Sequence, residues 1–194
     1  MRRTLILLTI AVVGAGLSAC SSPPVHAPRS VRGALGSSVL TLRCSDSVGQ
    51  QGGDHETVVG GVEGLVLPGS VDPGNLYPIR GRDGRRYFVY KAFLAVSSAS
   101  APFATVSIVR PATARLVYGA SGEIGEMFGS ASGRALVAAS RSTVRLPVCG
   151  SRFTGFVGGI IVTRPACVTF EVSSPRRKTE TASARIGPSV CPGN

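Results

Sequence analysis

The sequence contains no tryptophan, only two histidines, and few charges, since Asp, Glu, Lys and Arg together make up 16% of 194 residues. Each shortage removes a class of protein. Without tryptophan there is no large aromatic platform of the kind a carbohydrate-cleaving site stacks sugars on. With two histidines, His26 and His55, a serine triad has little to draw on. Sparse charge beside 43% hydrophobic residues excludes a chain that is disordered throughout, because so apolar a sequence can bury a core. No glycine repeat and no heptad is present, so collagen-like and coiled-coil structures are excluded. No internal period of roughly 20–50 residues is visible, which argues against a propeller or a β-helix. No GxSxG elbow, Walker-type loop or dinucleotide fingerprint occurs. Acidic residues are also scarce, at 10 against 21 Lys+Arg, and the formal charge is +11.

What is present begins at the N-terminus. Arg2 and Arg3 precede an apolar run from Thr4 to Val13, and small, flexible residues follow from Gly14 to Ala19. This is the layout of a secretory signal. The apolar stretch through Ala19 is 16 residues, shorter than the roughly 20 a membrane-spanning helix needs. Leu17-Ser18-Ala19-Cys20 resembles a lipobox, and the segment as a whole resembles a bacterial lipoprotein precursor. The resemblance implies that residues 1–19 are a signal helix removed by a dedicated peptidase. It further implies a diacylglyceryl group on the Cys20 thiol and a domain tethered at the extracytoplasmic face of the cell membrane. Several acyl chains on one residue make a durable anchor where a single chain is marginal. Residues 20–36, rich in Ser, Pro and Gly and without periodicity, read as a flexible spacer that contains His26. Loss of Arg2 and Arg3 with the signal leaves 19 basic and 10 acidic residues, a charge of +9.

Besides Cys20 the chain has Cys44, Cys149, Cys167 and Cys191. An even number in an exported domain implies two disulfides, and four cysteines allow three pairings. Cys149–Cys167 would close a short loop between two strands, and Cys44–Cys191 would tie the first strand to the last. This is the expected arrangement. With no CxxC pair among them, the cysteines do not suit zinc.

Residues 37–194 read as a single domain. Glycine and proline, 25 and 13 residues, supply frequent punctuation, and apolar residues alternate with period two in one short run after another. Strands are expected at 38–44, 58–67, 86–96, 105–109, 114–118, 134–139, 142–148, 158–163, 167–172 and 181–186. In the longest, Phe88, Tyr90, Ala92, Leu94 and Val96 should face the core, with Lys91 on the other side. The rhythm predicts an all-β fold, an antiparallel β-sandwich of about eight to ten strands, Ig-like or jelly-roll-like. A single helical turn is expected at 121–128, limited by Gly125 and Gly129. Two polar stretches, 45–56 and 68–85, read as loops, the second with an Asp83-Gly84 turn leading into the long strand.

Chemistry is thinly signalled. Asp54-His55-Glu56 has catalytic or metal-ligand residue types, but in an extended chain the two carboxylates point away from His55. Glu123 and Glu126 share a helical face and invite a glycosidase reading, against the commoner reading as solvated residues of a helix start. The glycines at 155, 158 and 159 precede a strand and not a helix, so they suit a bulge or turn better than a phosphate cradle. No catalytic residue, metal site or cofactor is therefore expected. The positive charge is arginine, with one cluster at Arg80, Arg82, Arg85 and Arg86 and a second run at Arg176, Arg177 and Lys178. Export makes nucleic acid a poor partner. Anionic lipid head groups or acidic envelope polymers are the better match, at about 1 kcal/mol per basic residue near such a surface. The sequence thus points to a lipid-anchored, non-catalytic binding or accessory module of the envelope. The alternatives are an envelope hydrolase using His55 with Asp or Glu residues, and a structural or assembly partner of another envelope protein.

Overall fold

The run Arg86–Ser97 forms the longest strand and organises one sheet of the computed structural model, which describes residues 39–49, 58–63, 76–129, 133–187 and 191. In chain order the strands are β1 (Val39–Thr41), β2 (Val58–Val59), β3 (Val62–Glu63), β4 (Leu76–Arg80), β5 (Arg86–Ser97), β6 (Phe103–Arg110), β7 (Arg115–Gly119), β8 (Thr143–Pro147), β9 (Phe153–Val162), β10 (Ala166–Ser174) and β11 (Arg177–Ile186). Helices α1 (Ser121–Gly129) and α2 (Arg134–Ala139) lie between β7 and β8. The strands make two sheets, ordered β1-β8-β6-β10-β11 and β2-β3-β5-β9-β7, with β4 paired to β5 beside the second path. The fold is therefore an all-β sandwich. Strand neighbours are antiparallel except β1 and β8, which run parallel.

Alternation explains the layering. Tyr90, Ala92, Leu94 and Val96 of β5 are buried in the inter-sheet core, and Phe88 packs against it. They meet Val106, Val144, Leu146, Phe170 and Val172 of the facing sheet. The opposite face of β5 is not fully solvated. Val89, with Ile161 of β9 and Val117 of β7, forms a second buried cluster with Ile124 of α1 and Leu136 of α2. The molecule is thus two sheets with a partial helical layer on the outside of one of them.

Several expectations are corrected. Residues 134–139 are a helix, because Arg-Ala-Leu-Val-Ala-Ala has high helix propensity and buries Leu136 on a helical stripe, with its neighbours Ala135 and Ala138 exposed. Helix α1 runs nine residues, well past one turn, despite Gly125 and Gly129. Docking of Ile124, Met127 and Phe128 on the sheet offsets the roughly 1 kcal/mol each glycine costs. The expected strand over 58–67 is instead the hairpin β2–β3 within its described part. Gly60 and Gly61 have φ of 55° and 79°, positive at both positions as a type I′ turn requires. Five residues of the expected 68–85 loop are strand β4, joined to β5 by a turn containing Asp83-Gly84. These short pieces bring the described strands to eleven.

Two disulfides form, but with another of the three pairings. Cys44 bonds Cys149 and Cys167 bonds Cys191, with Cα–Cα distances of 5.5 and 5.0 Å. Cys149–Cys167 is ruled out by β9 between them, whose ten residues span about 33 Å and carry the chain to the other end of the sandwich. The parallel pair β1–β8 instead delivers Cys44 and Cys149 to the same end. Cys167 stands opposite Arg185 of β11, shortly before Cys191.

Candidate functional site

Antiparallel strands return every second loop to the same end of a sandwich. Arg80 and Arg86 stand directly opposite each other across the β4–β5 pair, and Arg82 and Arg85 lie in the turn between them. The register then brings others to the same end. Arg110 closes β6, where it pairs with Thr169 near the start of β10, and Arg164 lies in the turn joining β9 to β10. All six are exposed. Like charges placed directly across a strand pair are unfavourable, so Arg80 facing Arg86 is not explained by fold stability.

Asp83 is the carboxylate at this end among the described residues, and it is engaged locally. Its side chain accepts hydrogen bonds from the Tyr87 hydroxyl at 2.8 Å and the Arg85 N–H at 3.1 Å, and it lies 3.7 Å from the Arg85 guanidinium. The Tyr87 bond first, then those from Arg85, hold its carboxyl below the ordinary 3.8, while the same bond raises the Tyr87 hydroxyl above 10.0. Asp83 therefore stays ionised at neutral pH and braces the turn. Arg86 stacks over Phe88 at 5.0 Å from the ring centroid. Arg82, Arg110 and Arg164 have no carboxylate partner among the described residues.

The second basic run lies elsewhere. Arg176 is in the β10–β11 turn, and Arg177 reaches the β2–β3 hairpin, which pairs with the far end of β5 at Ala95 and Val96. The twelve residues of β5 thus separate the two basic groups by about 40 Å. They are not one surface. Nothing in the sequence pattern shows this, and Arg110 and Arg164 were not expected in the first group. Their position just before and within loops was the available signal, but its use requires strand order and direction.

The catalytic candidates are not assembled. Glu123 is half-buried and Glu126 exposed on α1, on the outer face of the helix-covered sheet. Asp54, His55, Glu56, His26 and the lipobox Cys20 lie outside the described residues. Among the described residues no group of three His, Cys, Asp or Glu side chains is placed to hold a metal.

A different feature lies beside α1. Lys91, on the outer face of β5 as alternation predicts, holds its ammonium 4.8 Å from the Tyr77 ring centroid and 5.1 Å from that of Phe128. It borders a groove of about 450 Å³ between α1 and the sheet. Comparison with protein-family models, curated proteins and solved structures finds no match to this chain.

Proposed function

We propose that the protein is a lipid-anchored component of a bacterial cell envelope. Its β-sandwich serves as a non-catalytic binding module that engages anionic envelope material, lipid head groups or acidic polymers, through one end. The observation that carries this reading is the convergence of six exposed arginines with, among the described residues, a single, internally committed carboxylate. Two disulfides agree with an oxidising compartment outside the cytoplasm. Strand β1 runs away from the arginine-rich end, so Val39, the first described residue, stands on that side. A tether attached there would turn the arginines toward the membrane. Each would contribute about 1 kcal/mol near an anionic surface, and the sum would weaken with salt.

The test combines anchor and surface. Cys20→Ser should abolish incorporation of labelled fatty acid. The purified protein should be retained on envelope fractions at low salt and released as salt rises. Arg80→Glu with Arg82→Glu and Arg86→Glu should eliminate retention, whereas Glu at Arg176, Arg177 and Lys178 should leave most of it. Persistent labelling of the serine variant would refute the anchor. Absent retention at low salt, or equal loss from both charge reversals, would refute the binding end.

A further inference from the structure

The groove beside Lys91 is built by what the sequence omits. On the outer face of β9, Gly155 and Gly159 stand opposite Ala95 and Lys91 of β5. A side chain would fit at neither position. A Cβ at Gly155 would lie 2.3 Å from the Phe93 ring, and one at Gly159 would lie 2.5 Å from the Tyr90 carbonyl oxygen and press on the Phe128 ring at 3.2 Å. The two rings therefore settle against bare backbone. Val157 lies between these glycines, where it lines the groove together with Phe93 and Phe128. Ser121 and Gly125 of α1 line it from the helix. A Cβ at Gly125 would meet no heavy atom within 4 Å. Glycine is among the poorest helix formers, and here its missing side chain keeps the groove open.

The cavity is mainly apolar, and its volume suits one small molecule. Among the described residues its charged element is singular. The chain has two lysines, Lys91 and Lys178, and Lys91 is the cation that lines the groove. Its ammonium is held by two rings that accept no conventional hydrogen bond, and among the described residues no carboxylate neutralises it. An open, mainly apolar trough bordered by one compact positive charge is complementary to an apolar chain ending in one negative charge. Phosphate monoesters approach two charges at neutral pH and would call for a second cation.

We propose that this groove binds a single medium-chain fatty acid, with its chain between Phe93 and Phe128 over Val157 and its carboxylate at Lys91. The site is on a sheet face, apart from the arginine-rich end, so it stands or falls independently of the surface-binding reading.

The experiment is titration of the purified protein with dodecanoate carrying a 13C carboxyl label, followed by the carboxyl resonance and by calorimetry. Parallel titrations use dodecanol, dodecyl phosphate and acetate. Dodecanoate should saturate at one per chain, and acetate should not bind. Lys91→Met should weaken dodecanoate at least tenfold and leave dodecanol unchanged. Gly125→Leu should abolish binding of both while melting no lower than the parent, since it fills open space with a better helix former. Ser121→Leu provides a second blockade should Gly125→Leu fail to fold. Unchanged dodecanoate affinity in Lys91→Met, or in whichever blocked variant is folded, would overturn the proposal. So would binding without saturation, or tenfold tighter binding of dodecyl phosphate.

Discussion

Tyr118 carries a hydroxyl into the inter-sheet core, where the ring is 4% exposed and its oxygen has no partner among the described residues. Burial raises its pKa far above the ordinary 10.0, so it remains a neutral, unpaired donor at any pH the fold tolerates. An unsatisfied buried polar group costs about 1–3 kcal/mol. Tyr118→Phe is therefore expected to stabilise the protein by roughly 1–2 kcal/mol, seen as a higher denaturant midpoint with unchanged slope. A lower midpoint would mean that the hydroxyl is hydrogen-bonded. At this scale the sequence was legible in part. Alternation alone placed Lys91 outward and Tyr90 inward on β5. It did not show that Phe128 would reach Lys91, because that contact depends on how a helix docks 37 residues later in the chain.

The β2–β3 hairpin shows how an element of two-residue strands persists. Its turn is held from three sides. The Ser100 hydroxyl donates to the Gly60 carbonyl at 3.1 Å, the Ser97 N–H donates to Gly61 at 2.8 Å, and the Gly60 N–H donates to the Glu180 carboxylate at 3.1 Å. Ser100 is fully buried. Ser100→Ala is expected to cost about 1–3 kcal/mol by leaving the Gly60 carbonyl without that donor. Hydrogen exchange should quicken first at Val59 and Val62, and uniform acceleration across all strands would contradict this local role. The hairpin, α2 and β4 were the elements misjudged from sequence. Each is short: α2 follows its own helix propensity and the burial of Leu136, while the hairpin and β4 are held by pairing with β5. Long β5 needed no such help, because twelve residues of alternation specify a strand with two distinct faces.

For the whole molecule, the disulfides set a measurable asymmetry. The bonds close intervals of 105 and 24 residues. In the chain-entropy account these correspond to about 4.7 and about 3.4 kcal/mol of constraint on the unfolded state. Replacing Cys44 and Cys149 by serine should therefore destabilise more than replacing Cys167 and Cys191, by about 1 kcal/mol in chemical denaturation. The reverse order would show that folded-state effects outweigh unfolded-chain entropy. Peptide mapping without reduction should recover the Cys44–Cys149 and Cys167–Cys191 links.

By itself the sequence determined the quantities that depend on residue identity and near neighbours. These are the excess of arginine, an even set of cysteines beyond Cys20, the lipobox-like start, and the period-two rhythm that demands a β-sandwich. Tertiary structure alone decided which cysteines meet, which arginines share an end, and where a groove opens. The reason is that strand direction and register convert sequence distance into spatial distance in no simple proportion. Cys149 and Cys167 are 18 residues apart yet separated by the length of β9, while Cys44 and Cys149 touch across 105. Arg110 and Arg164 reach the same end as Arg86 because an antiparallel sandwich folds alternate loops together, a relation fixed only when every strand has found its neighbour.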